Sequence, residues 1–283
     1  MISRIVLILI VVALVGCRSG AAGKNTVVAA FYPLAFAAQT MSPSAKVENL
    51  TPPGAEPHDL ELTPKTVARI ETAGVVLYLG HGFQPAVSDA VKNASGHTVD
   101  VLGGLPLHSA KGQEAGLTAD PHVWLDPALF QRIVRRIAAV LPKPVHDAGL
   151  IADLQKLDRD YRAGLAHCAR NDIVTSHAAF SYLTQRYGLH QVPITGLTPE
   201  SEPTPKQLAN VVAVVRRTHA STVFFERLVS PRLADTVARE VGARTAVLDP
   251  IEGLTPAEQG RGENYLTLMR ENLAALRKAL ACR

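Results

Sequence analysis

Aromatic residues make up only 5% of this 283-residue sequence, and a single tryptophan, Trp124, is among them. Cysteine is scarcer still, at three, which excludes a small scaffold held together by many disulfides. Beyond residue 16 no apolar run approaches the roughly 20 residues that a membrane-spanning helix requires. The formal charge is only +4, and no basic block with interleaved aromatics occurs, which argues against nucleic-acid binding. Low-complexity stretches are absent, as are a His-Glu-x-x-His helix and the signature of zinc-dependent deaminases.

What is present begins at the N-terminus. Arg4 is followed by an apolar run over residues 5–16 that ends Leu14-Val15-Gly16-Cys17 before the polar Arg18-Ser19-Gly20. The run is too short to cross a bilayer and has the charged start and small-residue end of a secretory signal. Small residues set directly against a cysteine match bacterial lipoprotein precursors, so residues 1–16 are expected to be a lipoprotein signal peptide. Cys17 would be the lipidated residue, and residues 17–24 a tether holding the chain on the extracytoplasmic face of the cell membrane, at the cell surface or in a periplasm. The alternative is an ordinary signal with an incidental cysteine. In an exported chain the remaining pair, Cys168 and Cys282, points to a disulfide, with two unpaired buried thiols as the other outcome.

Short β-branched runs alternate with amphipathic stretches, the pattern of βα units and a mainly parallel sheet. Strands are predicted at residues 25–31, 46–50, 75–79 and 98–102, and again at 173–176, 191–195, 222–225 and 244–248. Four in each half imply an α/β fold of two similar βα lobes, each with a mainly parallel four-stranded sheet. Residues 128–141 read as a helix stopped by Pro142-Lys143-Pro144. From 145 to 167, Ile151, Leu154, Leu157, Tyr161 and Leu165 share one stripe, predicting a long rigid helix joining an N-terminal lobe (25–144) to a C-terminal lobe (168–283). Thr204 precedes a helix opened by Pro205. Residues 103–119 look like a long mobile loop.

Ten histidines are present, so position must select among them. His58, His122, His177 and Asp249 each lie just beyond a predicted strand or in the loop that follows one, and in parallel sheets ligands bind outside those ends. Two come from each half, so a cleft between lobes would gather them. Three imidazoles and a carboxylate suit tetrahedral zinc, and four protein donors leave no position open for catalysis. The local context is stiff: Pro52-Pro53-Gly54 and Pro57 precede His58, Pro121 precedes His122, and Pro250 follows Asp249. For two of them a plainer role stays open: Asp249 as the cap of a turn, and His177 as the start of a helix at Ala178.

At these residues the sequence resembles the zinc and manganese solute-binding proteins of ABC transporters, the cluster A-I or ZnuA-like family. The resemblance runs over nearly the whole mature chain. It rests on PPGAEPHDLELTP at 52–64, DPHVWLDP at 120–127, TSHAAFSYLTQRYGL at 175–189, GLTPESEPTPKQL at 196–208 and VLDPIEGL at 247–254. It implies that His58, His122, His177 and Asp249 hold one Zn2+ ion and that the helix at 145–167 is the rigid backbone between lobes. It further implies a lipid-anchored, monomeric protein that delivers the ion to a membrane permease and its ATPase. Manganese members tend to place a carboxylate where this chain has His177, and Mn2+ stands lowest in the divalent affinity order, so zinc is favoured.

Many zinc members also carry a histidine- and acid-rich loop before the second ligand, whereas residues 103–119 have only His108 and Glu114. His81, at the end of the third strand, is an auxiliary-ligand candidate. Glu202 and Glu226 are candidates to accept the spare N–H of a ligating ring, as metal-bound histidines require, with a salt bridge unrelated to the metal as the alternative for either one. Two other functions share these residues. A secreted zinc hydrolase would use three donors, an open position and Glu202 or Glu226 as base. An adhesin, a role ascribed to some relatives, would use the surface.

Overall fold

Val27, Val28 and Ala29 of β1 (Gly23–Ala29) and Val75, Val76 and Leu77 of β3 (Ala73–Tyr78) are buried, and the two strands pair side by side in parallel. Uninterrupted apolar runs of this kind are what a parallel strand covered on both faces needs. The structure, a computed structural model, describes residues 23–110, 116–199 and 203–283. Cys17 and Glu202 therefore lie outside the described residues.

Around β1 and β3 the chain adds α1 (Tyr32–Met41), β2 (Lys46–Asn49), α2 (Pro64–Thr72), α3 (Pro85–Ala90), β4 (His97–Asp100) and α4 (Pro127–Ala138). The long helix α5 (Asp147–Leu165) follows. The second half repeats the plan with β5 (Asp172–Thr175), α6 (Ser181–Tyr187), β6 (His190–Pro193), α7 (Pro205–Thr218), β7 (Thr222–Phe225), α8 (Arg232–Val241), β8 (Arg244–Val247), α9 (Pro256–Gly260) and α10 (Tyr265–Leu280). The sheets have the orders β2-β1-β3-β4 and β6-β5-β7-β8, and every pairing in both is parallel. This is the expected α/β fold of two similar halves, and each strand lies within two residues of its sequence-based position. In each sheet the chain reverses direction of winding between its first and third strands, the switch point beside which such sheets bind ligands.

Helix α5 spans 19 residues, about 28 Å at 1.5 Å per residue. Leu150, Leu154, Leu157, Tyr161 and Leu165 form its buried stripe, and the Tyr161 hydroxyl donates to the carbonyl of Met269 in α10. From α6, Arg186 reaches both Asp158 of α5 and Asp126, whose carboxylate also caps α4. Trp124 ties the halves together: its Nε1–H donates to the carbonyl of Pro250 at 2.7 Å, and its own carbonyl accepts from the Tyr265 hydroxyl.

Two expectations are corrected. The helix after β5 begins at Ser181 and not at Ala178, because residues 177–180 form a turn in which the His177 carbonyl is taken by Thr175 Oγ1 and Gln191 Nε2. The described part of the 103–119 segment is docked: Ala110 and Leu117 are buried against Leu197, and the His108 ring stacks on Tyr182 with centroids 4.1 Å apart. Cys168 and Cys282 form the anticipated disulfide, which joins the residues just past the ends of α5 and α10.

Candidate metal centre

Each half sends two loops from the C-terminal ends of its strands into the space between the sheets. The loop after β2 is braced by Gly54, whose φ of +84° suits a residue without Cβ and whose N–H donates to the Leu254 carbonyl across the cleft. That loop presents His58, its ring set edge-on against Phe83 at 4.7 Å. The segment leading to α4 presents His122, held at two points by one oxygen of Asp120, which accepts the backbone N–H at 3.0 Å and ring Nδ1 at 2.8 Å. Asp120 in turn accepts from Ser181 of the other half. After β5, His177 sits at the switch point, with ring Nδ1 2.5 Å from Glu226 at the end of β7. After β8, the loop over residues 249–253 delivers Glu252.

The donor atoms converge. His122 Nε2 lies 3.1 Å from Glu252 Oε1 and 3.3 Å from His177 Nε2, His58 Nε2 is 3.4 Å from Glu252 Oε1, and His177 Nε2 is 3.7 Å from it. All four donors lie within 4.8 Å of one another. Zinc bonds of 2.0–2.1 Å in a tetrahedron set donor separations of about 3.3–3.4 Å, so the group has the dimensions of a zinc site. Asp120 and Glu226 accept from Nδ1 of His122 and His177, which makes Nε2 the nitrogen that each ring turns toward the centre and offers to an ion.

Three of the four anticipated donors are thus brought together, and the fourth is replaced. Asp249, expected as a ligand because it directly follows the strand predicted at 244–248, does not join the histidines. Its Oδ2 accepts from Arg227 at 2.9 Å and its Oδ1 from the backbone N–H of Ile251 at 2.7 Å, so both oxygens are spent within its own half. Glu252, three residues on, occupies the place. His81 also stands apart: it is exposed, adopts φ +61°, and bonds Thr118 through Nδ1, outside the donor group. Glu226 is one of the two expected partners for a ligating ring, whereas Asp120, its counterpart for His122, stands two residues from that ring and is not among the expected partners.

The charges reinforce one another. Burial opposes ionisation of Glu252, but the charge and hydrogen bonds of the three rings outweigh it and hold the carboxyl well below the usual carboxylate range. Burial would also drive the proton off His177, yet Glu226 and Glu252 beside it raise its pKa well above the usual value. His122 is raised for the same reason by Asp120 and Glu252, and burial lowers His58. Burial pushes Asp249 up to about 6, with Ile251 N–H and Arg227 pulling the other way.

Two parallel α/β sheets enclosing a buried three-histidine, one-carboxylate group define a two-lobed metal-binding protein of the solute-binding class. The family described as "Zinc-uptake complex component A periplasmic", ZnuA, matches residues 27–279, and the chain belongs to it. It is 35% identical to the High-affinity zinc uptake system protein ZnuA of Bacillus subtilis over 94% of this chain and 90% of that protein. It is 34% identical to the Zinc-binding lipoprotein AdcA of Streptococcus pneumoniae over 94% of this chain, but spans only 58% of AdcA. Among solved structures, the Zn(II)-bound ZnuA-like domain of Streptococcus pneumoniae AdcA superposes with a TM-score of 0.77 at 35% identity, covering 91% of this chain and 99% of that domain.

Proposed function

We propose that this chain captures one zinc ion between its lobes with His58, His122, His177 and Glu252 and delivers it to the permease and ATPase of a metal ABC transporter. The observation that carries this reading is the set of donor separations, 3.1–3.7 Å in four of the pairs and all within 4.8 Å, around two rings whose outer nitrogens are held by carboxylates. Four protein donors fill a tetrahedron, which favours holding an ion over activating a water and so argues against hydrolysis. The relatives' names, a zinc uptake protein and a zinc-binding lipoprotein, support the same reading.

Protein purified without chelator should contain one zinc per chain. Glu252→Ala should weaken zinc about 100-fold in competition with a chromophoric chelator, the upper end of what loss of even an outer partner costs. Parent-like affinity in Glu252→Ala, or metal-free parent protein that takes up no zinc, would sink the four-donor site.

The lipid anchor at Cys17 belongs to this reading as well, since the ion must be handed over at a membrane surface and among the described residues no helix is long and apolar enough to cross one. Palmitate labelling of the parent in a bacterial host should disappear in Cys17→Ser, with the protein released from the membrane fraction. Labelling that persists in the variant would refute lipidation at that residue.

A further inference from the structure

The loop that carries Glu252 is held in a conformation its sequence does not favour. Ile251, which directly precedes the donor, is fully buried and has φ +58°, a region that a β-branched residue enters only when its surroundings impose it. Three neighbours hold the loop in place. Asn272 of α10 grips the backbone of residue 249 at both ends, accepting from its N–H at 2.9 Å and donating to its carbonyl at 2.6 Å. Trp124 takes the carbonyl of Pro250. The left-handed residue itself is held by Asp249, whose Oδ1 accepts the Ile251 N–H.

We propose that Asp249 is a positioning residue for the metal site, holding Ile251 in the left-handed conformation so that the next side chain, Glu252, reaches the three histidines. The inference rests on Glu252 being a zinc donor. Arg227 does not explain the acid on its own, because its guanidinium also meets Glu258 at 3.0 Å and Glu271 at 2.9 Å and keeps anionic partners without Asp249. The oxygen turned toward Ile251 is a different one from the oxygen that meets Arg227. Without that acceptor, residue 251 would relax toward negative φ, and the rotation would carry the Glu252 carboxylate off the centre.

The test compares Asp249→Ala, Asp249→Asn, Glu252→Ala and the double variant Asp249→Ala/Glu252→Ala, each checked for folding by thermal unfolding without metal. Asp249→Ala should weaken zinc about 10- to 100-fold, the range for a group that orients a ligand. Asp249→Asn keeps an oxygen to accept the Ile251 N–H and should stay within about threefold of the parent, an indication that the hydrogen bond matters and the charge does not. The double variant should bind no worse than Glu252→Ala alone, since residues acting through one contact are not additive. With cobalt in place of zinc, Asp249→Ala should show the visible spectrum of Glu252→Ala, and Asp249→Asn that of the parent. Parent-like zinc binding in Asp249→Ala, an Asp249→Asn as weak as Asp249→Ala, or losses that multiply in the double variant would each overturn the proposal. Parent-like binding in Glu252→Ala would instead remove the donor set on which it rests.

Discussion

His177→Ala should weaken zinc about 100- to 1,000-fold, with the ion retained by three donors and a water in the fourth position. Structural zinc sites bind with an apparent 10–16 kcal/mol across four ligands, so one donor corresponds to roughly 2.5–4 kcal/mol, and each 1.4 kcal/mol is tenfold. The upper part of the range is expected here because the substitution removes more than a donor: Glu226, which is buried, would keep Ser176 as its only side-chain hydrogen-bond partner among the described residues. The variant should nonetheless fold, since the cores lie between the sheets and their helices. The pH response gives the sign. Zinc must displace the proton that Glu226 and Glu252 stabilise on His177, so the parent's apparent affinity should rise with pH until the raised pKa is passed, and this rise should be shallower in the variant, where His122 still has a proton to lose. In metal-free protein the same proton contributes stability that is fully present below the 6.5 of an unperturbed histidine and fades as pH climbs through the raised value, opposite to the trend for zinc. His177→Glu should keep four donors but harden the set, narrowing the margin of zinc over manganese. Chelator competition at several pH values checks all three, and parent-like zinc affinity in His177→Ala would mean that the second lobe contributes no ring to the ion.

The layered architecture was open to sequence reasoning because each central strand is a short apolar run and each flanking helix has a clear stripe; periodicity and proline positions sufficed to find all eight strands and α5. Three histidines were likewise legible, because prolines or a strand end fix each one at the rim of a sheet. The fourth donor was not. Asp249 directly follows the strand predicted at 244–248 and is therefore the natural choice for a group facing the cleft, but β8 ends at Val247 and the direction of a side chain two residues on depends on the turn that follows. The turn here places Ile251 in the left-handed region, which no propensity would assign to isoleucine, and folds the Asp249 carboxylate back onto its own loop. The plainer alternative, an aspartate capping a turn, describes its contacts. A second signal was present in Glu252 itself, an acid set between Ile251 and Gly253 in an otherwise apolar loop. Asp120 was obscured differently: a carboxylate two residues before a histidine can bond its backbone or its ring, and only the fold shows that it does both.

Reduction of the Cys168–Cys282 bridge should lower stability by roughly 3 to 5 kcal/mol, because the two cysteines are 114 residues apart and a cross-link over that distance removes much of the freedom of the unfolded chain. For a chain of this size that corresponds to a fall in the unfolding temperature of roughly 6 to 20 °C. Zinc affinity should change little. Cys168 precedes the N-terminal end of β5, whereas His177 follows its C-terminal end, so the bridge and the site lie at opposite ends of the same sheet. The bridge fastens the segment just past α5 to the segment just past α10, and those helices remain in contact without it through Tyr161 and Met269. The paired substitution Cys168→Ser/Cys282→Ser should therefore give a folded, zinc-binding protein that unfolds at lower temperature, and the parent in reducing agent should behave in the same way. Thermal unfolding of metal-free protein, oxidised and reduced, is the direct measurement, since bound zinc would add its own stabilisation. Two free thiols by mass spectrometry in protein taken from an oxidising compartment, or an unfolding temperature that does not move on reduction, would contradict the assignment. A loss of zinc binding equal to that of His177→Ala would show that the clasp between α5 and α10 sets the geometry of the cleft as well as the stability of the chain.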